Sequence, residues 1–185
     1  MEKMDAQTFA GLIARAGDKA YNFAYRLSGN EPDARDLVQE AFTRAFEHAE
    51  SYDSTRPFDS WLLRILHNVF LDAMRRHSHS RTVSIDAPAP VEDSSWEELL
   101  PAKEPTASDE LVLKESLDLL QMALARLPTT YRSAIVLCDI EGQSYEQIAE
   151  VMDVPVGTVR SRIHQGRVLL RKAYEELERR GGKVS

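Results

Sequence analysis

Residues 127–170, LPTTYRSAIVLCDIEGQSYEQIAEVMDVPVGTVRSRIHQGRVLL, read as a helix-turn-helix with a basic second helix. Ser144 is placed as an N-cap with Gln147 at the third helical position, the two halves of a capping box. Ile148, Ala149 and Met152 follow at helical spacing. Asp153-Val154 makes the turn, and Pro155 suits the start of a new helix. Val159, Ile163, Gly166 and Leu170 share one inward stripe of that helix. Gly157, Thr158, Arg160, Ser161, His164 and Gln165 lie opposite. From Val156 to Lys172 the charged residues are Arg160, Arg162, Arg167, Arg171 and Lys172, with no acid among them. Such a helix can approach phosphates and then read base edges in a major groove. The alternative is a hairpin whose basic face is merely solvated. Against it stands the coincidence of capping box, small Ala149, turn and Gly-Thr-Val start.

The chain of 185 residues has room for one domain or two small ones. Its first residues, MEKMDAQTFAGLIARAG, lack the apolar centre of a signal peptide, and no apolar run reaches the length of a membrane span. The lone Cys138 has no internal disulfide partner. A reducing cytoplasm is the expected home, with Cys138 an inert thiol among Ile135, Val136 and Leu137. A net charge of −7 argues against nucleic acid until it is mapped along the chain. Residues 1–80 carry −2, residues 81–110 carry −6 and residues 111–185 carry +1. Local patches govern approach to DNA, because distant exposed charges are screened.

The acid excess falls in VSIDAPAPVEDSSWEELLPAKEPTASDE, a segment rich in Pro, Ser, Asp and Glu that reads as a linker. Trp96, Leu99 and Leu100 form a short apolar cluster within it, suited to packing on a domain or partner, or to a local turn. Three helices are expected before it. The first spans about 5–27, with Phe9, Leu12, Ile13, Ala20, Phe23 and Ala24 inward. The second spans 31–49, capped by Asn30, with Leu37, Val38, Ala41, Phe42, Ala45 and Phe46 inward. The third spans 57–77, with Phe58, Trp61, Leu62, Ile65, Val69 and Ala73 on one face. After the linker, Ser108 can cap a helix to Leu127, and Pro128 opens another to Ile140. No strand-like alternation or repeat is visible. The expected fold is all-α: a helical domain at 1–80, an acidic flexible linker at 81–107 and a helix-turn-helix domain at 108–185.

The third helix carries a second constellation. Phe58 and Trp61 stand at its start, Asn68 in its middle, Asp72 one turn on, and Arg75 and Arg76 at its end, with Arg81 beyond. Aromatic and amide groups beside a basic edge suit an unstacked base held near a backbone. Both aromatics can equally be core, the simpler reading for Trp61, and Asn68 can simply pair with Asp72.

Three blocks, DARDLVQEAFTRAFEH, RPFDSWLLRILHNVFLDAMRRHSHSR and the helix-turn-helix itself, resemble in content and order the bacterial sigma factors of the extracytoplasmic-function (ECF) type. The combination is far more specific than any block alone. The resemblance implies a subunit that directs core RNA polymerase to promoters and assists their melting. It assigns core-polymerase contact to Asp36, Leu37, Gln39, Glu40 and Phe42, with one of Leu37 and Phe42 expected in the domain core. It assigns the unwound −10 element to the loop 52–59 and to Phe58, Trp61, Asn68, Asp72, Arg75 and Arg76. The duplex −35 element falls to Thr158, Arg160, Ser161, Arg162, His164, Gln165 and Arg167, with Arg162 and Arg167 on phosphates. Histidine and glutamine at 164 and 165 depart from the aromatic or basic residues common there, which leaves the −35 sequence open. An anti-sigma factor, often membrane-anchored, is an implied partner. The linker acids Asp86, Glu92 and Asp93 are implied mimics of nucleic acid near the RNA exit path.

Two rivals are a stand-alone helix-turn-helix regulator, which the first two blocks oppose, and an enzyme or metal protein. His67, His77 and His79 are near in sequence but lack further ligands, and no zinc, P-loop or dinucleotide motif occurs. No catalysis, small-molecule substrate, cofactor or metal is expected.

Overall fold

The computed structural model describes residues 6–78 and 107–181. All regular elements among them are helical. The linker cluster at Trp96, the acids Asp86, Glu92 and Asp93, Arg81, His79 and the side chains of His77 and Ser108 lie outside the described residues.

The N-terminal module is α1 (Ala6–Ser28), α2 (Glu31–Glu47) and α3 (Phe58–Ser78). Gly29, at φ +84°, ends α1 by donating its N–H to the Tyr25 carbonyl at 2.8 Å. Asn30 then caps α2, its side chain accepting from the Asp33 N–H at 2.9 Å. Alanines 34, 41 and 45, with Leu37, form the buried stripe of α2. Small residues bring α2 close to its neighbours and leave no room for a second row of large side chains. Phe46, expected inward, is therefore 67% exposed. Val38 and Phe42, at the same four-residue spacing, stay half-buried beside it. α3 is buried on more than the one expected face: Leu63, Leu66, His67 and Phe70 are covered as well as Phe58, Leu62 and Val69.

The C-terminal module comprises α4 (Ala107–Ala125), α5 (Thr129–Ile135), α6 (Tyr145–Met152) and α7 (Val156–Gly181). The helix expected to reach Ile140 instead widens after Ile135. Over Val136–Ile140 it makes one looser turn, with the Glu141 N–H bonding to the Val136 carbonyl at 2.9 Å. Gly142, at φ +63°, turns the chain toward α6. α7 runs nine residues past the basic stretch read from sequence. Leu170, Ala173 and Leu177 continue its inward stripe beneath the polar run YEELERR.

The extra coverage of α3 comes from the second module. α3 packs on α6, and α1 packs on α4 and α5. The last carbonyls of any helix lack intrahelical donors, and here the other module supplies them. Gln121 Nε2 donates to the Tyr25 and Arg26 carbonyls, each at 3.3 Å. Arg132 Nη1 donates to the Leu27 carbonyl at 2.6 Å, while its Nη2 reaches the Ala125 and Leu127 carbonyls at 2.7 and 3.0 Å. Across the α3–α6 seam, Ser60 Oγ donates to Gln143 Oε1 at 3.1 Å, and Arg56 pairs with Glu150 at 3.1 Å. One continuous cluster of buried side chains runs through both modules.

Candidate nucleic-acid interface

The helix-turn-helix is built as the residues dictate. Ser144 Oγ accepts from the Gln147 N–H at 3.2 Å, and Gln147 Oε1 accepts from the Ser144 N–H at 2.8 Å. Asp153 takes the left-handed conformation (φ 54°, ψ 51°), a region Asp tolerates better than branched residues. This turn lets the Val154 N–H bond back to the Ala149 carbonyl. Val159, Ile163 and Leu170 then anchor α7 inward. Gly166 lies where α7 meets α5: a Cβ there would stand 2.7 Å from Ile135 Cγ1 and 3.3 Å from the Tyr131 carbonyl oxygen.

On the outer side Arg160 and Ser161 are exposed, and Thr158, Arg162, His164 and Gln165 are half-exposed. Ser161 Oγ donates to the Thr158 carbonyl at 2.9 Å, leaving its lone pairs to accept. Arg167 is differently placed. Its guanidinium makes two bonds to Asp139, at 2.6 and 3.1 Å, and so ties α7 to the loose turn after α5. That geometry leaves Arg160 and Arg162 as the better-presented cations. Cys138 lies beside this pair, and burial, with Asp139 next, pushes its thiol up to about 11. The thiol is therefore protonated and inert at neutral pH.

In the N-terminal module, Tyr52, Phe58 and Trp61 form a mutual cluster with ring centroids 5.2–5.5 Å apart. Phe58 is buried and also meets Phe9, so it backs the cluster rather than facing outward. Trp61 is half-buried. Tyr52 Oη donates to the Arg56 carbonyl at 2.7 Å, and Asp53 accepts from the Thr55 hydroxyl and N–H, which fastens the loop ahead of α3. Asn68 is exposed. The Asn68–Asp72 pair is replaced by other partners: Asp72 accepts from Arg44 of α2 at 3.0 Å and from Arg75 at 3.1 Å. The Asp72 carboxylate thus joins Arg44 and Arg75, while Arg76 Nε reaches back to the Asp72 backbone carbonyl at 3.4 Å.

On α2, Asp36, Gln39 and Glu40 are exposed, while Leu37 is buried. Phe42 is half-buried in an open apolar groove with Tyr21, Val38 and Phe46. Of Leu37 and Phe42, Leu37 is thus the core residue. Sequence reasoning missed Arg44, Gln121, Arg132, Ser60 and Gln143, whose roles depend on which helices meet. It also turned Phe46 inward.

Two helical modules, one a helix-turn-helix with an exposed basic helix and one with an aromatic and basic edge, define a bipartite DNA-binding protein. Residues 12–80 match the family described as Sigma-70 region 2, and residues 117–170 match Sigma-70, region 4. The chain is 35% identical over 177 residues to the ECF RNA polymerase sigma factor SigW of Bacillus subtilis, covering 96% of this chain and 94% of that one. It is 42% identical over 163 residues to the ECF RNA polymerase sigma factor SigE of Mycolicibacterium smegmatis, covering 86% of this chain and 59% of that longer protein. The chain belongs to the ECF sigma factors of bacterial RNA polymerase, which direct the polymerase to promoters for transcription initiation. Among solved structures, CnrH in complex with the cytosolic domain of CnrY is similar at TM-score 0.64 and 26% identity, covering 93% of this chain and 90% of that one. The sigma factor RpoE in complex with the anti-sigma factor NepR from Bartonella quintana shares the fold at TM-score 0.69 and 24% identity, covering 92% of this chain and 98% of that one. Nothing in these matches supports the stand-alone regulator. Among the described residues no helix is long and apolar enough to cross a membrane.

Proposed function

We propose that the two modules, taken as 1–80 and 108–185, divide promoter recognition between them. The exposed face of α7 reads the −35 duplex: Arg160 addresses base edges, Thr158, Ser161, His164 and Gln165 complete the reading surface, and Arg162 meets phosphate. Arg167 acts from behind, through Asp139. The loop 52–59, Trp61 and Asn68 take an unstacked −10 base, with Arg75 and Arg76 along the backbone and Asp72 aiming Arg75. Unstacking costs a few kcal/mol, offset by pocket contacts. Phe42 and its groove, with Asp36, Gln39 and Glu40, dock on core polymerase. The polymerase performs the chemistry, and this chain acts in the cytoplasm as a specificity subunit, not an enzyme. One solved structure of this fold is in complex with the anti-sigma factor NepR and another with the cytosolic domain of CnrY, and this chain is read as having an anti-sigma partner, membrane-anchored or not.

The observation that carries this reading is the pairing of an exposed basic recognition helix with a separate aromatic and basic edge on α3. Geometry adds a requirement. About 25 base pairs separate the two elements, roughly 85 Å at 3.4 Å per step. A compact chain of this size has a radius of gyration of about 16 Å. The packed modules must therefore part to engage both elements, and residues 79–106, with a contour length of roughly 95 Å, can span the gap. The test uses holoenzyme on two probes. Asn68→Ala and Arg76→Ala should weaken binding to a single-stranded −10 oligonucleotide and leave −35 duplex binding unchanged. Equal losses on both probes would refute the division.

A further inference from the structure

Among the described residues, the seam between the modules holds one buried titratable side chain that promoter binding does not use, with Glu141 and Arg132 only partly buried nearby. His67, on the face of α3 turned to the C-terminal module, is 3% exposed. Its Nδ1 has no hydrogen-bond partner, while the Val151 backbone carbonyl of α6 accepts from the ring. From α7, the positive charge of Arg162 opposes a second positive charge on the ring. The acids at this end of α6, Glu150 and Asp153, are paired with Arg56 of the loop before α3 and with Arg64, one turn before His67 on α3 itself. Its buried surroundings along α3 are Leu63, Leu66 and Phe70. Neutral imidazole suits this site. An imidazolium would be stripped of water beside a guanidinium.

We infer that this seam is a proton-sensitive latch: the closed packing of α3 on α6 requires a neutral His67, and protonation of His67 opens the chain there. The inference rests on the reading of the modules as separate binding units that must part. Burial first, then Arg162, lowers the proton affinity of His67 to about 4 in the closed form. In an opened chain the imidazole regains an ordinary value of about 6.5. The closed form binds the proton more weakly, so acid favours the open form. Between pH about 6.5 and 4 the open-to-closed ratio should rise about tenfold per pH unit, and from pH 7.5 to 5.5 about tenfold in all.

The test is an inter-module distance measurement on the full chain, without polymerase or DNA. Dyes at Asp18→Cys and Lys172→Cys, with Cys138→Ala to remove the native thiol, report energy transfer at pH 7.5 and 5.5. The separated population should grow about tenfold at pH 5.5 with helicity retained. His67→Gln should stay closed at both pH values, and His67→Lys should be open at both; His67→Asn replaces the first if it loses helicity. An absent acid response, or the same response in His67→Gln, would overturn the latch and place the titration elsewhere. Because the readout needs neither promoter nor polymerase, failure to direct transcription would refute the promoter reading and leave the latch standing.

Discussion

Gly166→Ala separates two opposite expectations. Helix propensity alone favours alanine over glycine by about 0.8–1.0 kcal/mol inside a helix such as α7. Packing opposes it. The new Cβ would stand 2.7 Å from Ile135 Cγ1, 3.1 Å from Ile135 Cδ1 and 3.3 Å from the Tyr131 carbonyl oxygen. Ile135 is 1% exposed, and its branched Cβ restricts χ1, so Cγ1 has little room to swing aside. Overpacking of this kind costs about 1–3 kcal/mol. The net expectation is a loss of about 0–2 kcal/mol, with α7 displaced from α5. Urea denaturation of the two proteins measures the difference. Ile135→Ala supplies the control: alone it should cost about 2–5 kcal/mol by leaving a cavity. In the Gly166→Ala background it should cost at least 1 kcal/mol less, because the added methyl occupies part of that space. A gain of about 1 kcal/mol for Gly166→Ala, with additive effects in the double variant, would refute close approach of α5 and α7.

Other outcomes follow from the same geometry. Arg160→Ala should cost about 1–3 kcal/mol at one base pair of the −35 element and relax preference there, as read by holoenzyme binding to a set of point-substituted duplexes; a uniform loss across all duplexes would reassign it to phosphate. Leu37→Ala should cost about 2–5 kcal/mol of stability, whereas Phe42→Ala should cost less stability yet weaken core-polymerase binding by about 2 kcal/mol or more. Denaturation and equilibrium competition separate these two effects, and equal stability losses would contradict the assignment of Leu37 to the core. With its thiol raised from 9 to about 11, Cys138 should alkylate at least about tenfold more slowly at pH 8 in the native chain than after denaturation; comparable rates would show that its surroundings do not hold the thiol protonated.

Local chemistry made much of this molecule legible. The capping box, the turn at Asp153-Val154, the inward stripe of α7 and the Asn30 cap are short-range signals, and the residues that carry them are neighbours in the chain. Less legible was what depends on packing partners. Phe46 shares the period of Phe42, and nothing local says that Ala34, Ala41 and Ala45 bring α2 too close to its neighbours to cover it. Arg167 stands on the outward side of a basic helix, and only the loose turn after α5 brings Asp139 to it. His67, Ser60 and Gln143 look like ordinary polar surface residues until α3 meets α6. The reach of α7 to Gly181 was hidden because Ala173 and Leu177 are sparse among charges.

The central claim is that this chain confers promoter selection on core RNA polymerase through two separate elements. Run-off transcription with purified chain, bacterial core polymerase and fragments of the source genome, followed by mapping of the 5′ ends, tests it directly. Discrete start sites should appear only when both proteins are present, each preceded by a shared pair of elements near −35 and −10. Start sites unchanged from core alone, from chain that still binds core, would contradict it.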